Sequence, residues 1–125
     1  MYNPIRIRDN MYKIVFYTSH RGDSLIDKFL DSLQVKVRAK TEKWMQKLQE
    51  NGPYLPRPYS DTLRNKIREL RVSHGSMEIR LLYFFWNRTY IVMVHGLIKK
   101  KSEVPEQDIE RAIKLMNGFI TRHGG

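Results

Sequence analysis

The sequence predicts an α+β domain with the element order β-α-α-β-β-β-α. Two adjacent segments between residues 23 and 51 place apolar side chains at helical spacing. Three segments between residues 66 and 98 are rich in β-branched and aromatic residues and are separated by short turns, as is typical of strands. A last segment, after Pro105, returns to helical spacing. Because the 125 residues contain no internal repeat and no linker-like stretch, we expect one domain.

The first half of the chain predicts a strand followed by a helical hairpin. Residues 12–17 (YKIVFY) are aromatic and β-branched, which favours a strand. Residues 23–33 and 34–51 both have the spacing of amphipathic helices. In the first of these helices the apolar positions are Leu25, Ile26, Phe29, Leu30 and Leu33. Gly52 and Pro53 then end the second helix, since glycine just past a helix and proline behind it are common terminators.

The second half predicts a connector and three strands. Residues 54–61 contain two prolines and are expected to connect the hairpin to the sheet. Residues 66–73 alternate imperfectly, which a bulge or an edge position would explain. Residues 77–86 and 89–98 are the next strands, and Asn87-Arg88 forms the tight turn between them. The last strand is so apolar that we expect it inside the sheet.

The C-terminal segment predicts a helix that begins near Pro105, because proline suits the first helical turn. One face of this helix is apolar, with Ile109, Ala112, Ile113, Met116, Phe119 and Ile120. We therefore expect a domain over residues 11–121, with a flexible leader over residues 1–10 and a tail over residues 122–125.

Composition and charge narrow the class of partner. The net charge is +10 and the isoelectric point is about 10.0, which favours a polyanion such as nucleic acid. Between residues 64 and 101 the sequence has only two acids. The same stretch has nine lysines and arginines: Arg64, Lys66, Arg68, Arg71, Arg80, Arg88, Lys99, Lys100 and Lys101. Cysteine is absent, so there is no disulfide and no thiolate nucleophile, and a cytoplasmic location is expected. No apolar run is long enough for a membrane span, and the N-terminus has no apolar core of the signal-peptide type.

Four short motifs bear a resemblance to a known family. They are ELR (residues 69–71), IRLLYFF (79–85), VHGLIKK (94–100) and PEQDIERA (105–112). In this combination the chain resembles the RelE/ParE toxin superfamily, and within it the phage-derived HigB-like branch. The resemblance implies a RelE-like fold, with a helical hairpin on one side of a mainly antiparallel sheet. It also implies the toxin of a type II toxin–antitoxin pair, whose usual activity is cleavage of messenger RNA, commonly on the translating ribosome.

Cleavage of this kind needs cations more than carboxylates. RNA carries its own nucleophile, the 2′-hydroxyl, so the protein must align it with the phosphate, balance charge in the transition state and move protons. We therefore expect no metal and no other cofactor. By matching the family pattern, Arg80 is the first candidate for contact with the phosphate and Arg71 the second. The predicted catalytic residues are Arg71, Arg80, His95 and Lys100, and the predicted RNA-binding residues are Arg68, Lys99, Lys101 and Tyr83.

Several of these residues have an alternative interpretation. His95 has the right chemistry for proton transfer, but strand alternation groups it with Met93 and Leu97, so it is equally well a buried structural imidazole. Tyr83 could stack on a base, although an aromatic residue in such a strand more often packs in the core. Glu69 is expected to pair with Arg71 or a neighbouring cation and is a weaker candidate for a general base. The lysines of the second helix are explained by solvation of its outer face: Lys36, Lys40, Lys43 and Lys47.

Three functions are compatible with the sequence. The leading hypothesis is a metal-independent messenger RNA endoribonuclease that acts with ribosome help. The second is a ParE-like inhibitor of DNA gyrase, and the third is a nucleic-acid-binding module without catalysis. The first two imply a cognate antitoxin, by resemblance a HigA-like helix-turn-helix protein. No Gly-rich phosphate loop and no metal-ligand motif is visible in the sequence.

Overall fold

The computed structural model describes residues 11–100 and 103–125 and confirms the α+β class. The predicted leader and Lys101 lie outside these residues. The strands are β1 (Lys13–Phe16), β2 (Ser60–Arg64), β3 (Ile67–His74), β4 (Met77–Trp86) and β5 (Tyr90–Lys99). The helices are α1 (Leu25–Asp31), α2 (Val35–Asn51) and α3 (Glu106–His123), and a 3₁₀ turn covers Gly52–Tyr54. None of the helices in these ranges is long and apolar enough to cross a membrane.

The five strands form one mixed sheet in the order β1-β5-β4-β3-β2. β1 runs parallel to β5, and all the other neighbours are antiparallel. The expectation of a mainly antiparallel sheet is therefore confirmed. β4 is the middle strand, and β5 lies inside the sheet as its apolar sequence predicted.

One strand was not predicted. β2 begins inside the stretch expected to be only a connector, and it pairs with β3 along one edge of the sheet. Its sequence, SDTLR, contains one aliphatic side chain, Leu63. Such a polar sequence is compatible with an edge strand, which buries little apolar surface. The pairing slips between Thr62 and Arg64, where β2 has one residue more than β3. β3 itself is an inner strand in regular register with β4, so the expected bulge or edge position of this strand is wrong.

Each face of the sheet buries its own apolar core. The face towards α1 and α2, called here the hairpin face, includes Leu70, Val72, Leu81, Tyr83 and Met93. The face towards α3, called here the α3 face, includes Ile67, Leu82, Phe84, Val92 and Val94. Because side chains alternate along a strand, the two sets of residues interleave in sequence. The site residues can then be assigned to one face or the other from the strand register.

Local turn chemistry fixes the strand pairs. Asn87 and Arg88 both have positive φ angles, 51° and 62°, and Asn65 and Lys66 have 51° and 72°. Positive φ at two successive residues is typical of the tight hairpin turns whose twist matches that of the strands. The predicted reversal at Asn87-Arg88 is confirmed.

Gly96 permits close packing between the sheet and α1. A Cβ atom placed on Gly96 would lie 2.5 Å from the ring of Phe29. The VHGLIKK motif therefore needs a glycine at this position for steric reasons, because only a residue without a side chain lets the Phe29 ring pack on β5.

The C-terminal helix contains all the predicted apolar positions. α3 extends to His123, beyond the expected domain limit at residue 121. The ring of His123 lies 4.4 Å from that of Phe119, between centroids, so the last helical turn packs on the aromatic end of the α3 face.

Candidate functional site

Two arginines predicted as catalytic lie side by side on the α3 face. Arg71 of β3 is the direct cross-strand partner of Arg80 of β4. Lys99 of β5 pairs with Glu78 on the same face, so three neighbouring strands supply a cation here. They line a groove of about 280 Å³ between the sheet and the start of α3. The groove is lined by Asp61, Leu63, Glu69, Arg71, Arg80, Lys99, Glu103, Val104, Glu106 and Ile109.

Glu69 holds both arginines. One carboxylate oxygen, Oε2, accepts hydrogen bonds from Arg71 Nε at 3.0 Å and Nη2 at 2.8 Å. The other, Oε1, lies 3.2 Å from Arg80 Nε. Glu69 is 3% exposed and Arg80 is 5% exposed, so this is a buried ionic network. The predicted pairing of Glu69 with Arg71 is confirmed.

Two further carboxylates flank the arginine pair. Asp61 Oδ2 lies 3.3 Å from Arg71 Nη2 and 3.1 Å from Arg57 Nε. Burial opposes ionisation of Asp61, but the Thr62 backbone N–H, Arg57 and Arg71 together hold its pKa below the ordinary value. On the other side, Glu78 Oε1 lies 3.3 Å from Arg80 Nη1. A hydrogen bond from Ser73 and the charges of Arg80 and Lys99 lower the pKa of Glu78, against a smaller effect of burial.

The groove is consequently not a purely basic surface. Its lining contains four acids and three bases. The acids are Asp61, Glu69, Glu103 and Glu106, and the bases are Arg71, Arg80 and Lys99. The cations are therefore not an exposed run at this position: Glu69 of β3 pairs with both arginines, Asp61 comes from β2, which was not predicted, and Glu103 and Glu106 come from the chain around the start of α3. The Arg71 side chain is 30% exposed, so it is more accessible than Arg80.

His95 lies on the α3 face, two residues before Leu97, the cross-strand partner of Arg80. Its Nε2 is 2.7 Å from Oδ1 of Asp108, in the first turn of α3. The predicted grouping with Met93 is wrong. A bulge at Val94 shifts the register between Tyr83↔Met93 and Leu82↔His95, so Met93 belongs to the hairpin face.

Lys100 follows β5 and is exposed. It lines a second groove, of about 640 Å³, whose wall of Glu103, Val104 and Glu106 is shared with the first. The structure thus brings Lys100 next to the Arg71 and Arg80 groove without placing it inside. Within residues 11–100 and 103–125, no group of three or more His, Asp or Glu side chains is arranged to hold a metal ion.

This arrangement can be compared with known protein families. The model of the family described as phage-derived protein Gp49-like (DUF891) matches residues 28–117. The chain belongs to this Gp49-like family. The family lies within the RelE-like toxin–antitoxin group, in agreement with the resemblance seen in the sequence motifs. A comparison with curated proteins finds no match.

The match includes the whole groove of this Gp49-like domain. It extends from α1 into α3 and so contains all the charged sheet residues of the groove, from Asp61 to Lys99, together with the His95 and Asp108 pair. The groove is therefore part of the domain that defines the family.

Two predicted RNA-binding residues of this Gp49-like domain lie elsewhere. Tyr83 is fully buried on the hairpin face, and its hydroxyl is 2.8 Å from Ser60 Oγ. A fully buried ring cannot stack on a base, so Tyr83 is a packing residue and its site assignment is corrected. Arg68 is the cross-strand partner of Tyr83 on the same face, where its guanidinium lies 5.7 Å from the Phe85 ring centroid. Arg68 therefore does not reach the groove on the α3 face.

Three acids of the site were not predicted as site residues from the sequence. Asp61 lies in the unpredicted strand β2, so its position opposite Glu69 could not be inferred. Glu78 precedes the recognised IRLLYFF motif by one residue and was counted only as an acid. Asp108 lies inside the PEQDIERA motif, which was used for the resemblance and not for chemistry. The only sequence signal for its role was an acid in the first turn of a helix that follows the His95 strand.

Proposed function

We propose that this Gp49-like domain is the toxin of a type II toxin–antitoxin pair of the HigB-like branch and cleaves messenger RNA without a metal ion. The observation that supports it best is the Arg71 and Arg80 pair, fixed by one buried carboxylate at the wall of an open groove. Fixed guanidinium groups can stabilise a pentacovalent phosphate because they need no reorganisation as charge develops.

The accessibility of the cations supports a division of roles among them. Arg71 is bonded to Asp61 at a long distance of 3.3 Å, so a phosphate oxygen can replace that carboxylate while Glu69 keeps its shorter bonds. Arg71 and Lys99 are then the groups that touch the scissile phosphate. Arg80 is almost fully buried, so it adds positive charge without touching the phosphate. Lys100 holds the adjoining part of the RNA strand in the second groove.

His95 is the candidate for proton transfer. Its Nε2 is occupied by Asp108, which leaves Nδ1 to exchange a proton with the RNA. The ribose 2′-hydroxyl gives its proton to Nδ1 of His95, and its oxygen bonds to phosphorus while the bond between phosphorus and the 5′-oxygen breaks. The 5′-oxygen takes up a proton from water, and His95 returns its proton to the solvent. The products are a 2′,3′-cyclic phosphate and a 5′-hydroxyl. We propose that the ribosome presents the RNA strand, because a locally neutral groove by itself attracts a polyanion weakly.

A cognate antitoxin follows from the same proposal. An active toxin stops the growth of its own cell, so a HigA-like helix-turn-helix partner is expected to cover the groove in the cytoplasm. The mixed charge of the groove suits a protein segment that carries both acidic and basic side chains.

The test is the mapping of messenger RNA ends after controlled expression, with translation running and with translation blocked. Arg71→Ala is the informative variant because its side chain is partly exposed and removing it leaves Glu69 paired with Arg80. Arg111→Ala, on the exposed side of α3, is the control. We expect new 5′-hydroxyl ends with wild type and Arg111→Ala and none with Arg71→Ala. Intact messenger RNA beside damaged DNA would contradict the proposal and favour gyrase as the target.

A further inference from the structure

A row of four lysines on α2 carries positive charge at a distance from the groove. On the α3 side, Arg57, Arg64, Arg71 and Arg80 all form ion pairs with acids. The lysine row of α2 (Lys36, Lys40, Lys43 and Lys47) is different. Within residues 11–100 and 103–125, no carboxylate lies within ion-pairing distance of any of these four lysines. On the same helix, Arg38 is paired with Asp31 at 2.7 Å and with Glu42 at 3.8 Å.

The four lysines occupy one edge of α2. Their spacing of four, three and four residues places them within a narrow arc of the helix, to one side of the buried positions Val37, Met45 and Leu48. At a rise of about 1.5 Å per residue the row covers about 16 Å of helix axis. Glu50, one helical turn beyond Lys47, is the acid that shares this side, so the row keeps a net positive charge.

Aromatic side chains adjoin the row at its end near the sheet. The rings of Trp44 and Tyr59 are stacked with centroids 4.4 Å apart, and Lys47 Nζ lies 5.8 Å from the Trp44 centroid. The backbone carbonyl of Tyr59 accepts a hydrogen bond from the Arg71 N–H at 2.8 Å. The aromatic end of the row therefore lies near the β2 edge of the sheet, although the row is on the hairpin face and the groove is on the α3 face.

We propose that the α2 lysine row is a second RNA-binding surface, which holds the phosphate backbone of an RNA duplex on the hairpin side of the domain. Phosphates of one duplex strand are about 3 Å apart along the axis, so the row faces several in succession. Point charges at this spacing fit a regular polyanion better than a protein partner, whose interface would need a wider apolar centre than the stacked Trp44 and Tyr59 rings provide. The choice of RNA over DNA rests on the proposed function, whereas the polyanion surface itself does not.

The test measures binding, with a duplex that cannot be cut. The probe is a short RNA duplex with 2′-O-methyl groups, which lacks the nucleophile, so the result is independent of whether the domain is a nuclease. The row variant is Lys40→Gln/Lys43→Gln/Lys47→Gln, because glutamine preserves helix propensity. The control is Arg21→Gln/Arg111→Gln/Lys114→Gln, which removes the same charge from exposed positions elsewhere. A third variant, with arginine at the three row positions, keeps the charge.

The dissociation constant is measured against salt concentration for each protein. The slope of log K against log salt is expected to fall by about 0.9 for each phosphate that the variant no longer neutralises, and so by roughly 2 to 3 for the row variant. The control and the arginine variant are expected to keep the wild-type slope. Equal slopes for the row variant and the control would overturn the proposal, since the effect would then be one of net charge. A larger reduction for duplex DNA than for the RNA would also overturn it and assign the row to DNA.

Failure of this test is distinguishable from failure of the proposed function. If the row does not bind the duplex but Arg71→Ala still abolishes the new messenger RNA ends, the proposed cleavage site is supported and the second surface is rejected. If the row binds the duplex but wild type produces no new ends, the second surface is supported and the nuclease proposal is rejected.

Discussion

At the scale of single residues, Glu69 decides the geometry of the groove. A buried carboxylate between two guanidinium groups is stabilising only while all its partners remain, because an unpaired charge in the interior is costly. In the proposed mechanism the same carboxylate also keeps Arg71 fixed when a phosphate displaces Asp61. Glu69 would then serve both the stability of the fold and the geometry of the site.

We expect Glu69→Gln to lower the free energy of unfolding by about 3 kcal/mol, because it leaves Arg80 buried with half of its ionic partners. Denaturant unfolding measures this change. Glu110→Gln, on the exposed side of α3, is the matched control and is expected to change stability by less than about 0.5 kcal/mol. Equal effects of the two substitutions would show that the network does not hold the arginines.

The pair formed by His95 and Asp108 makes a second prediction at this scale. Asp108→Asn retains a hydrogen-bonding side chain but removes the charge that faces the imidazole. If the pair acts in proton transfer, cleavage is expected to fall about 100-fold, and the double variant with His95→Gln is expected to be no worse than His95→Gln alone. Initial cleavage rates measure this. Full additivity of the two effects would mean that the pair only fastens α3 to the sheet.

At the scale of elements, the contact between α1 and β5 depends on Gly96. We expect Gly96→Ala to destabilise the fold by about 1–3 kcal/mol, because the added methyl group overlaps the Phe29 ring. Gly118→Ala is the control, since the nearest atom to its added carbon is Arg122 Nη1 at 3.7 Å and alanine favours a helix. Thermal unfolding should therefore show opposite shifts for the two glycines, and shifts of the same sign would contradict the steric reason for Gly96.

The elements also show how far the sequence was informative. The limits of β4 were predicted without error because its apolar run ends at turns on both sides, and α2 was predicted to within one residue because Gly52 and Pro53 stop it. β2 was missed because a polar edge strand has no periodic signal of its own. Tyr83, Arg68 and Met93 were assigned to the wrong surroundings because the face of a strand depends on register and on a bulge, which pairing partners determine.

At the scale of the whole molecule, two surfaces differ in charge. The acids and bases of the groove nearly cancel, whereas the lysine row of α2 is cationic. The motif arginines Arg71 and Arg80 are cross-strand partners, but acids pair with both of them, so the total charge of +10 arises from other residues. According to the two proposals, long-range attraction of a polyanion and local phosphate chemistry belong to different surfaces, so substitutions at one surface should leave the other intact.

The acids that neutralise the groove should make the fold sensitive to acid. The pKa values of Asp61 and Glu78 are lowered in the folded state, so each stabilises the fold above its ordinary pKa and loses that effect as pH falls through the folded value. We expect the free energy of unfolding to decline below about pH 4.5, and less steeply in Asp61→Asn/Glu78→Gln. Chemical unfolding at a series of pH values measures it, and identical declines in both proteins would contradict the assignment.

The central claim, that fixed arginines let the ribose oxygen of RNA cut its own strand, has a direct test. A message is prepared with a single 2′-deoxy nucleotide on the 5′ side of a mapped break and is incubated with the purified protein and translating ribosomes. The account predicts that cleavage at that bond disappears while other sites are still cut to 5′-hydroxyl ends. Cleavage at the deoxy position at the unmodified rate would contradict it.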